Sequence, residues 1–358
     1  MSEHHEVIII GGGQAGLAIG YYLARQGADF TILEAAAEPA AAWRSRWDSL
    51  KLFTPARYDG LPGRVFPGAP ARYPTRDEVV DYLTGYANEF DLPVELNSPA
   101  RSVRRSEVGY VVELDDRTYE ADQIVIATGP FQTPRLPPQL AEALDPDVVQ
   151  IHSCQYRRPT DLPNGRVLVV GGGNTGFQIA EELTADHEVH LSIGTRQTPL
   201  PAKVLGRELF AVLQTTGLMG KTVTSRLGRR LKGRETLIGS SPRRATAQGI
   251  ELHARARRIT GKRVDFSDGT GIEVDAVLWA TGFDADHTWI NAPVFDQAGR
   301  VIHERGVTQS PGLYFLGLPW LHTRGSALLG WVKHDAQHIA RHIGRSHQPS
   351  PVTAHAPA

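Results

Sequence analysis

The chain has 358 residues, 41% of them hydrophobic, and its 38 lysines and arginines against 39 aspartates and glutamates leave a formal charge of -1. That length supplies one large core or two ordinary ones, and so even a charge balance offers no field to draw in nucleic acid. Cys154 is the only cysteine, which excludes an intrachain disulfide, a CxxC redox pair and a thiolate zinc cluster; no metal is expected.

From the N-terminus, Met1 to Glu6 is polar and leads into an apolar run, Val7 to Ile10, far short of a signal-peptide core or a membrane span. A cytoplasmic protein without membrane contact is expected. Glu6 to Ile10 reads as a buried parallel strand. It feeds a Gly-rich turn, GGGQAG (Gly11 to Gly16), and a helix on which Leu17, Tyr21 and Ala24 recur at helical spacing until Gly27 stops it. A second strand follows at Phe30 to Glu34. Alternation around Asp115 and Asp116 predicts a hairpin leading into an apolar strand that ends in an ATG run, Ala127 to Gly129. Pro-rich stretches at Thr133 to Pro138 and Pro159 to Pro163 then punctuate the chain.

The pattern now starts again. Arg166 to Val170 predicts a strand, GGGNTG (Gly171 to Gly176) a second turn, Phe177, Ala180 and Leu183 a helix, and Glu188 to Ile193 the next strand. An insertion, Lys203 to Arg244, holds Lys221, Arg226, Arg229, Arg230, Lys232 and Arg234 without an intervening acid. Such a run is a solvated face, or, given Leu205, Leu209, Leu213 and Leu218 nearby, a lid or membrane-surface element. A hairpin around Ser267 to Gly269 leads to a second ATG run, Ala280 to Gly282. Gly312 to Leu318 adds one more strand and Ser326 to Arg341 a closing helix.

Between a strand and a helix, the first Gly of G-x-G-x-x-G permits the turn, the second lets backbone approach a pyrophosphate, and the third lets the helix pack closely. The helix N-terminus offers free N-H groups to the phosphates. Glu34, ending the second strand, sits where a carboxylate accepts from both hydroxyls of an adenosine ribose, as in FAD or NAD. The second unit lacks that carboxylate and has Ser192 and Arg196, a hydroxyl and a guanidinium suited to a ribose 2'-phosphate. FAD is therefore assigned to the first turn and NADPH, with NADH the alternative, to the second. The fold class expected is α/β, with two Rossmann-like, doubly wound dinucleotide-binding domains, the NADPH domain inserted in the FAD domain. Residues 1–160 and 275–345 form the FAD domain, 161–274 the NAD(P)H domain and 346–358 a flexible tail, with domain crossings near Thr160 and Asp275.

With both turns, both ATG runs and their order in place, the chain resembles the flavin-containing monooxygenase family over nearly its whole length, its short bacterial members above all. Trp43-Arg44, the stretch Trp47 to Pro55, and Tyr73-Pro74-Thr75-Arg76 are also similar to segments of the plant flavin monooxygenases that make auxin. Of the family fingerprint F-x-G-x-x-x-H-S-x-x-Y the chain keeps His152, Ser153 and Tyr156, with Pro146 and Val148 in place of Phe and Gly. Tyr156, where many Baeyer-Villiger enzymes have Trp, leans toward the heteroatom-oxygenating branch. Pro55 stands where animal members have an Asn beside the flavin, and Leu318 where the late FAD motif often has Asp.

The resemblance implies that NADPH reduces FAD, that reduced flavin takes up dioxygen as a hydroperoxide, and that this oxygenates a small sulfur or nitrogen nucleophile or a ketone. A homodimer is compatible with it. The FAD set expected is Gly11, Gly13, Gln14, Ala15, Gly16, Glu34, Trp43, Arg44, Thr54, Val103, Thr128, Gly129 and Leu318. The nucleotide set is Gly171, Gly173, Asn174, Thr175, Gly176, Ser192, Arg196, Thr281 and Gly282. Arg324, His322 and His152 are the catalytic candidates: Arg324 to stabilise reduced-flavin charge or as a surface arginine, His152 as a catalytic or a structural histidine at the domain crossing. Two alternatives stand beside oxygenation. One is an NAD(P)H-dependent flavin oxidoreductase or oxidase without oxygen insertion, the other a non-catalytic dinucleotide sensor.

Overall fold

The structure, a computed structural model, describes residues 3–195, 197–204, 206–232 and 236–346. Arg196, Leu205, Arg234 and, Ser346 apart, the tail expected at 346–358 lie outside them. β1 (Glu3–Ile10), α1 (Gln14–Gln26) and β2 (Phe30–Leu33) open the chain. Val7 to Ile10 are buried because parallel neighbours flank β1 on both sides and other layers cover it. α1 ends at Gly27, whose left-handed φ of 71° turns its N-H back onto Ala24 and Leu23 carbonyls. α2 (Arg76–Glu89) starts with a reciprocal cap between Thr75 and Glu78. An edge strand, β3 (Val94–Glu95), and a meander, β4 (Ser102–Arg105), β5 (Tyr110–Glu113) and β6 (Thr118–Ile126), follow.

The second sheet contains β7 (Val149–His152), β8 (Arg166–Val170), β9 (Glu188–Ser192), β10 (Glu251–His253) and a later strand; α3 (Asn174–Leu183) joins β8 to β9. The insertion between β9 and β10 carries α4 (Leu209–Thr215). A second meander, β11 (Ala256–Thr260), β12 (Arg263–Phe266) and β13 (Gly271–Glu273), leads into β14 (Ala276–Trp279). β15 (Leu313–Phe315) and α5 (Val332–Ser346) return to the first unit, where α5 packs on α1.

Parallel strands run β3-β2-β1-β6-β15 in the first sheet and β10-β9-β8-β14-β7 in the second. The order is the same, but the outermost strand of the first sheet comes late in the chain and that of the second comes early. β7 and β14 therefore belong to the second sheet, although the crossings expected near Thr160 and Asp275 leave both in the first unit. The closing helix also differs: turns occupy Ser326 to Trp331 and α5 begins at Val332. The cause is Gly330, where a Cβ would stand 1.8 Å from the Tyr58 carbonyl oxygen; the backbones touch there, and the helix starts beyond the contact.

Candidate functional site

The two Gly-rich turns have one geometry. Gly11 (φ 111°) and Gly171 (φ 131°) press against the ATG runs: an added Cβ would lie 2.7 Å from Ala127 O and 2.2 Å from Ala280 O respectively. At Gly16 and Gly176 a Cβ would lie 2.0 and 1.9 Å from the carbonyl oxygen of the turn's own first glycine. Both positions demand glycine on steric grounds. Behind them α1 and α3 start at Gly13 and Gly173 with no side-chain cap and no acidic residue in the first turn. Their first N-H groups and the positive end of each helix dipole are thus available to an anion. No atom stands within 4 Å of a Cβ built at Gly13, which is open space.

In the first unit Glu34 accepts from Gly12 N at 2.8 Å and Ala36 N at 3.0 Å, which fixes its carboxylate beside the turn. Trp43 Nε1 donates to Gln14 Oε1 at 2.9 Å, tying the Trp43-Arg44 segment to the first residue of α1; Ala15 beside it is buried. Arg44 pairs with Glu38 at the surface. Gln132 bridges the ATG run, donating to Thr128 Oγ1 at 2.9 Å and Gly129 O at 2.7 Å. Val103 is a wholly buried core residue of β4, whose backbone N-H donates to Trp289 O. Leu318 packs partly buried on the first core, next to Gly317, where a Cβ would meet that of Ala15 at 2.9 Å. Sequence reasoning missed Gly317, and its signal is the left-handed φ of 81° at the end of β15.

The second turn departs from expectation at two residues. Ser192 is buried, its hydroxyl donating to Ala254 O at 2.9 Å and accepting from Ala256 N at 3.0 Å; committed to the β10–β11 connection, it offers nothing to a ribose phosphate. Asn174 likewise clamps the insertion, bonding Thr236 O and Ile238 N. Thr175 beside it is half-buried. An exposed guanidinium that sequence reasoning missed does stand at this strand end: Arg255 donates through Nε and Nη2 to Gly194 O.

His152 bonds the second ATG run. Buried, it faces Gly282 O through Nε2 at 3.1 Å and accepts from Cys154 N through Nδ1 at 3.2 Å, so both nitrogens are used in holding the second ATG run. Thr281 of that run donates to Arg135 O. Burial lowers the imidazole pKa and raises that of the Cys154 thiol. Arg324 is different: half-buried, it donates to Thr236 Oγ1, and no carboxylate pairs with it among the described residues. Burial alone depresses its pKa, the mark of a cation removed from water without an anion. His322 N donates to Ser326 Oγ and its carbonyl receives Val223 N, pinning the loop to the insertion; burial, then Arg305, hold its imidazole below the usual value against Asp335.

A model of the pyridine nucleotide-disulphide oxidoreductase family matches residues 8–203. An uncharacterized oxidoreductase of Geobacillus kaustophilus, CzcO-like, is 42% identical over 94% of this chain and 98% of its own. A probable indole-3-pyruvate monooxygenase of Arabidopsis thaliana, YUCCA9, is 27% identical over 94% and 88%. The solved flavin-containing monooxygenase of Stenotrophomonas maltophilia superposes with a TM-score of 0.81 at 29% identity, covering 96% of this chain and 99% of that one. The chain belongs to the flavin monooxygenase-like family. It is accordingly a flavin-dependent oxidoreductase or monooxygenase, and Cys154, the sole cysteine, cannot supply the redox pair of a disulfide reductase.

In this flavin monooxygenase-like chain the insertion closes over the junction of the two units. Leu209, Phe210, Met219 and Ile238 bury against Phe53, Tyr58, Leu328 and Trp331 of the first unit. Phe210 stacks on Phe53 at 6.1 Å and Arg57 pairs with Glu208. Its apolar side thus faces the protein, covering that cluster as a lid would, and its arginines 226, 229 and 230 are exposed. No helix among the described residues is long and apolar enough to cross a membrane. Beneath the lid lies a residue that motif reading did not find, Asp59: fully enclosed, it accepts from Thr54 Oγ1 at 2.6 Å through Oδ1, and Oδ2 has no partner among the described residues.

Proposed function

We propose that the protein is an FAD-dependent, NADPH-using monooxygenase that inserts one atom of dioxygen into a small organic substrate, a sulfur or nitrogen nucleophile or a ketone. The observation that carries this reading is the pair of uncapped helix N-termini, each behind a glycine pressed onto an ATG run, with a carboxylate beside only the first. The residues fit both cofactors. Gly11, Gly13, Gln14 and Gly16 would receive the FAD pyrophosphate and Glu34 its ribose; Gly171, Gly173, Thr175 and Gly176 would receive that of NADPH. Arg255 at Gly194, with Arg196, would read the 2'-phosphate. Bound there, FAD supplies hydride acceptance and dioxygen activation.

The remaining tasks belong to the chain. Arg324, an unpaired cation in a site shielded from water, stabilises negative charge that develops at the junction, where low dielectric strengthens it. His322 is neutral at pH 7 by the direction of its shift and presents no competing charge. The lid, through Phe210 and Leu209, keeps water out, which favours oxygen transfer over loss of hydrogen peroxide.

The test is aerobic turnover on sulfides, amines and ketones with NADPH under heavy dioxygen. One labelled oxygen in product, with NADPH preferred over NADH, is expected. Consumption of dioxygen wholly as hydrogen peroxide, without labelled product across the panel, would identify an NAD(P)H oxidase instead.

A further inference from the structure

We propose that the outer edge of the second sheet carries a site for one divalent, zinc-type cation, held by His190 Nδ1, His253 Nε2 and a carboxylate oxygen of Glu251. These atoms lie within 4.8 Å of one another. The register makes the site: in the parallel pair β9–β10, His190 stands opposite Glu251 and Ser192 opposite His253. Paired residues share a face and a step of two returns to it, so His190, Glu251 and His253 all project from one face, with Glu188 beside them.

The separations suit a metal. Two donors each about 2.0–2.1 Å from a tetrahedral zinc lie about 3.4 Å apart. Here His190 Nδ1 is 2.8 Å from His253 Nε2 and 3.6 Å from Glu251 Oε2, and His253 Nε2 is 3.8 Å from Glu251 Oε1. The two histidines meet different oxygens of Glu251, so closing a tetrahedral site on one oxygen takes a rotation of that exposed carboxylate and a parting of the two imidazoles by about half an ångström.

The hydrogen bonds orient His190 as a metal requires, while His253 Nε2, which donates to His190 Nδ1 without a metal, gives up that hydrogen when the ion binds. His190 Nε2 faces Glu188 Oε1 at 3.2 Å; a carboxylate only accepts, so Nε2 carries the hydrogen and Nδ1 presents its lone pair toward His253. A carboxylate behind a ligating imidazole is the usual outer partner of a zinc histidine. His253 is stacked flat on Phe266 at 4.3 Å, which holds the second ring in place. Two imidazoles and one carboxylate match zinc and its neighbours in the transition series better than magnesium or calcium. Glu251 is exposed, giving the ion an entry route and leaving the fourth position to water. The consequence is mechanical: the three-residue edge strand β10 is cross-linked to β9, next to the Ser192–Ala254 bond behind the second turn.

The experiment uses the full chain without an affinity tag, stripped with chelator and titrated with zinc chloride in a calorimeter. Wild type is expected to take one zinc per chain and to unfold at higher temperature once loaded. His253→Ala and Glu251→Gln should bind at least tenfold more weakly and lose the thermal shift, and Glu188→Gln should weaken binding by about 10- to 100-fold. His4→Ala with His5→Ala, removing the N-terminal histidine pair, should leave that zinc in place. Glu251 is at the surface, so its variant tests the site even where a histidine variant fails to fold. Zinc binding identical in wild type, His253→Ala and Glu251→Gln, or none in wild type, would overturn the proposal and leave a hydrogen-bonded histidine pair.

Discussion

Gly11 holds a φ of 111°, and a methyl group there would sit 2.7 Å from Ala127 O. Gly11→Ala should cost at least about 1–3 kcal/mol from backbone conformation alone, read as a lower melting temperature together with flavin lost on gel filtration. Asp59 sets a pH dependence. Burial raises its pKa to about 7, against the Thr54 hydrogen bond and Lys333, whereas in an unfolded chain it ionises near pH 4. The stability it contributes is therefore whole below about pH 4 and declines as pH rises to about 7, by about 4 kcal/mol at most. Asp59→Asn should flatten that decline in urea unfolding at pH 4.5 and 7.5; equal slopes in both proteins would refute the assignment. Arg324→Gln is expected to lower kcat/KM by about 10- to 100-fold with little change in melting temperature, since no described carboxylate depends on it. The turns were legible at this scale because their chemistry is local: six consecutive residues declare the site. Ser192 was not, since its partners Ala254 and Ala256 lie more than sixty residues away in sequence.

Among the elements the lid has the sharpest consequence. Phe210 is buried among Phe53, Tyr58 and Trp331, and Phe210→Ala removes the ring that docks the insertion. Core Phe→Ala changes cost about 3–5 kcal/mol, enough to loosen the insertion where this small cluster packs it on the first unit. NADPH oxidation should persist while the share of oxygen released as hydrogen peroxide rises severalfold, as a peroxide assay during turnover would show; unchanged coupling would mean that the lid does not govern water access. The leucines of this insertion announced an apolar side, but only the structure shows what covers it. α5 teaches the same lesson. Its helical periodicity is visible from Ser326, yet the Gly330 contact with Tyr58 delays the start to Val332, and no local pattern encodes a contact between segments 272 residues apart.

At the scale of the molecule, sheet membership is the point on which sequence and structure part. β7 and β14 complete the second sheet, and α-helical residues Leu140 and Ala141 with Leu144 pack on its meander. A fragment spanning 137–283 should fold cooperatively, whereas 161–274, lacking both strands, should not; circular dichroism melts of the two would decide. Strand positions were read well from apolar runs, but which sheet a run joins depends on partners elsewhere, so the repeat was visible and the lacing of its two halves was not. That lacing orders events at the ribosome. The first sheet waits for β15 to lie beside β6 and for α5 to cover α1, while every strand of the second has been translated by Trp279. The half synthesised first is therefore the last to mature, and its exposed α1 is the surface that a chaperone would meet on the nascent chain.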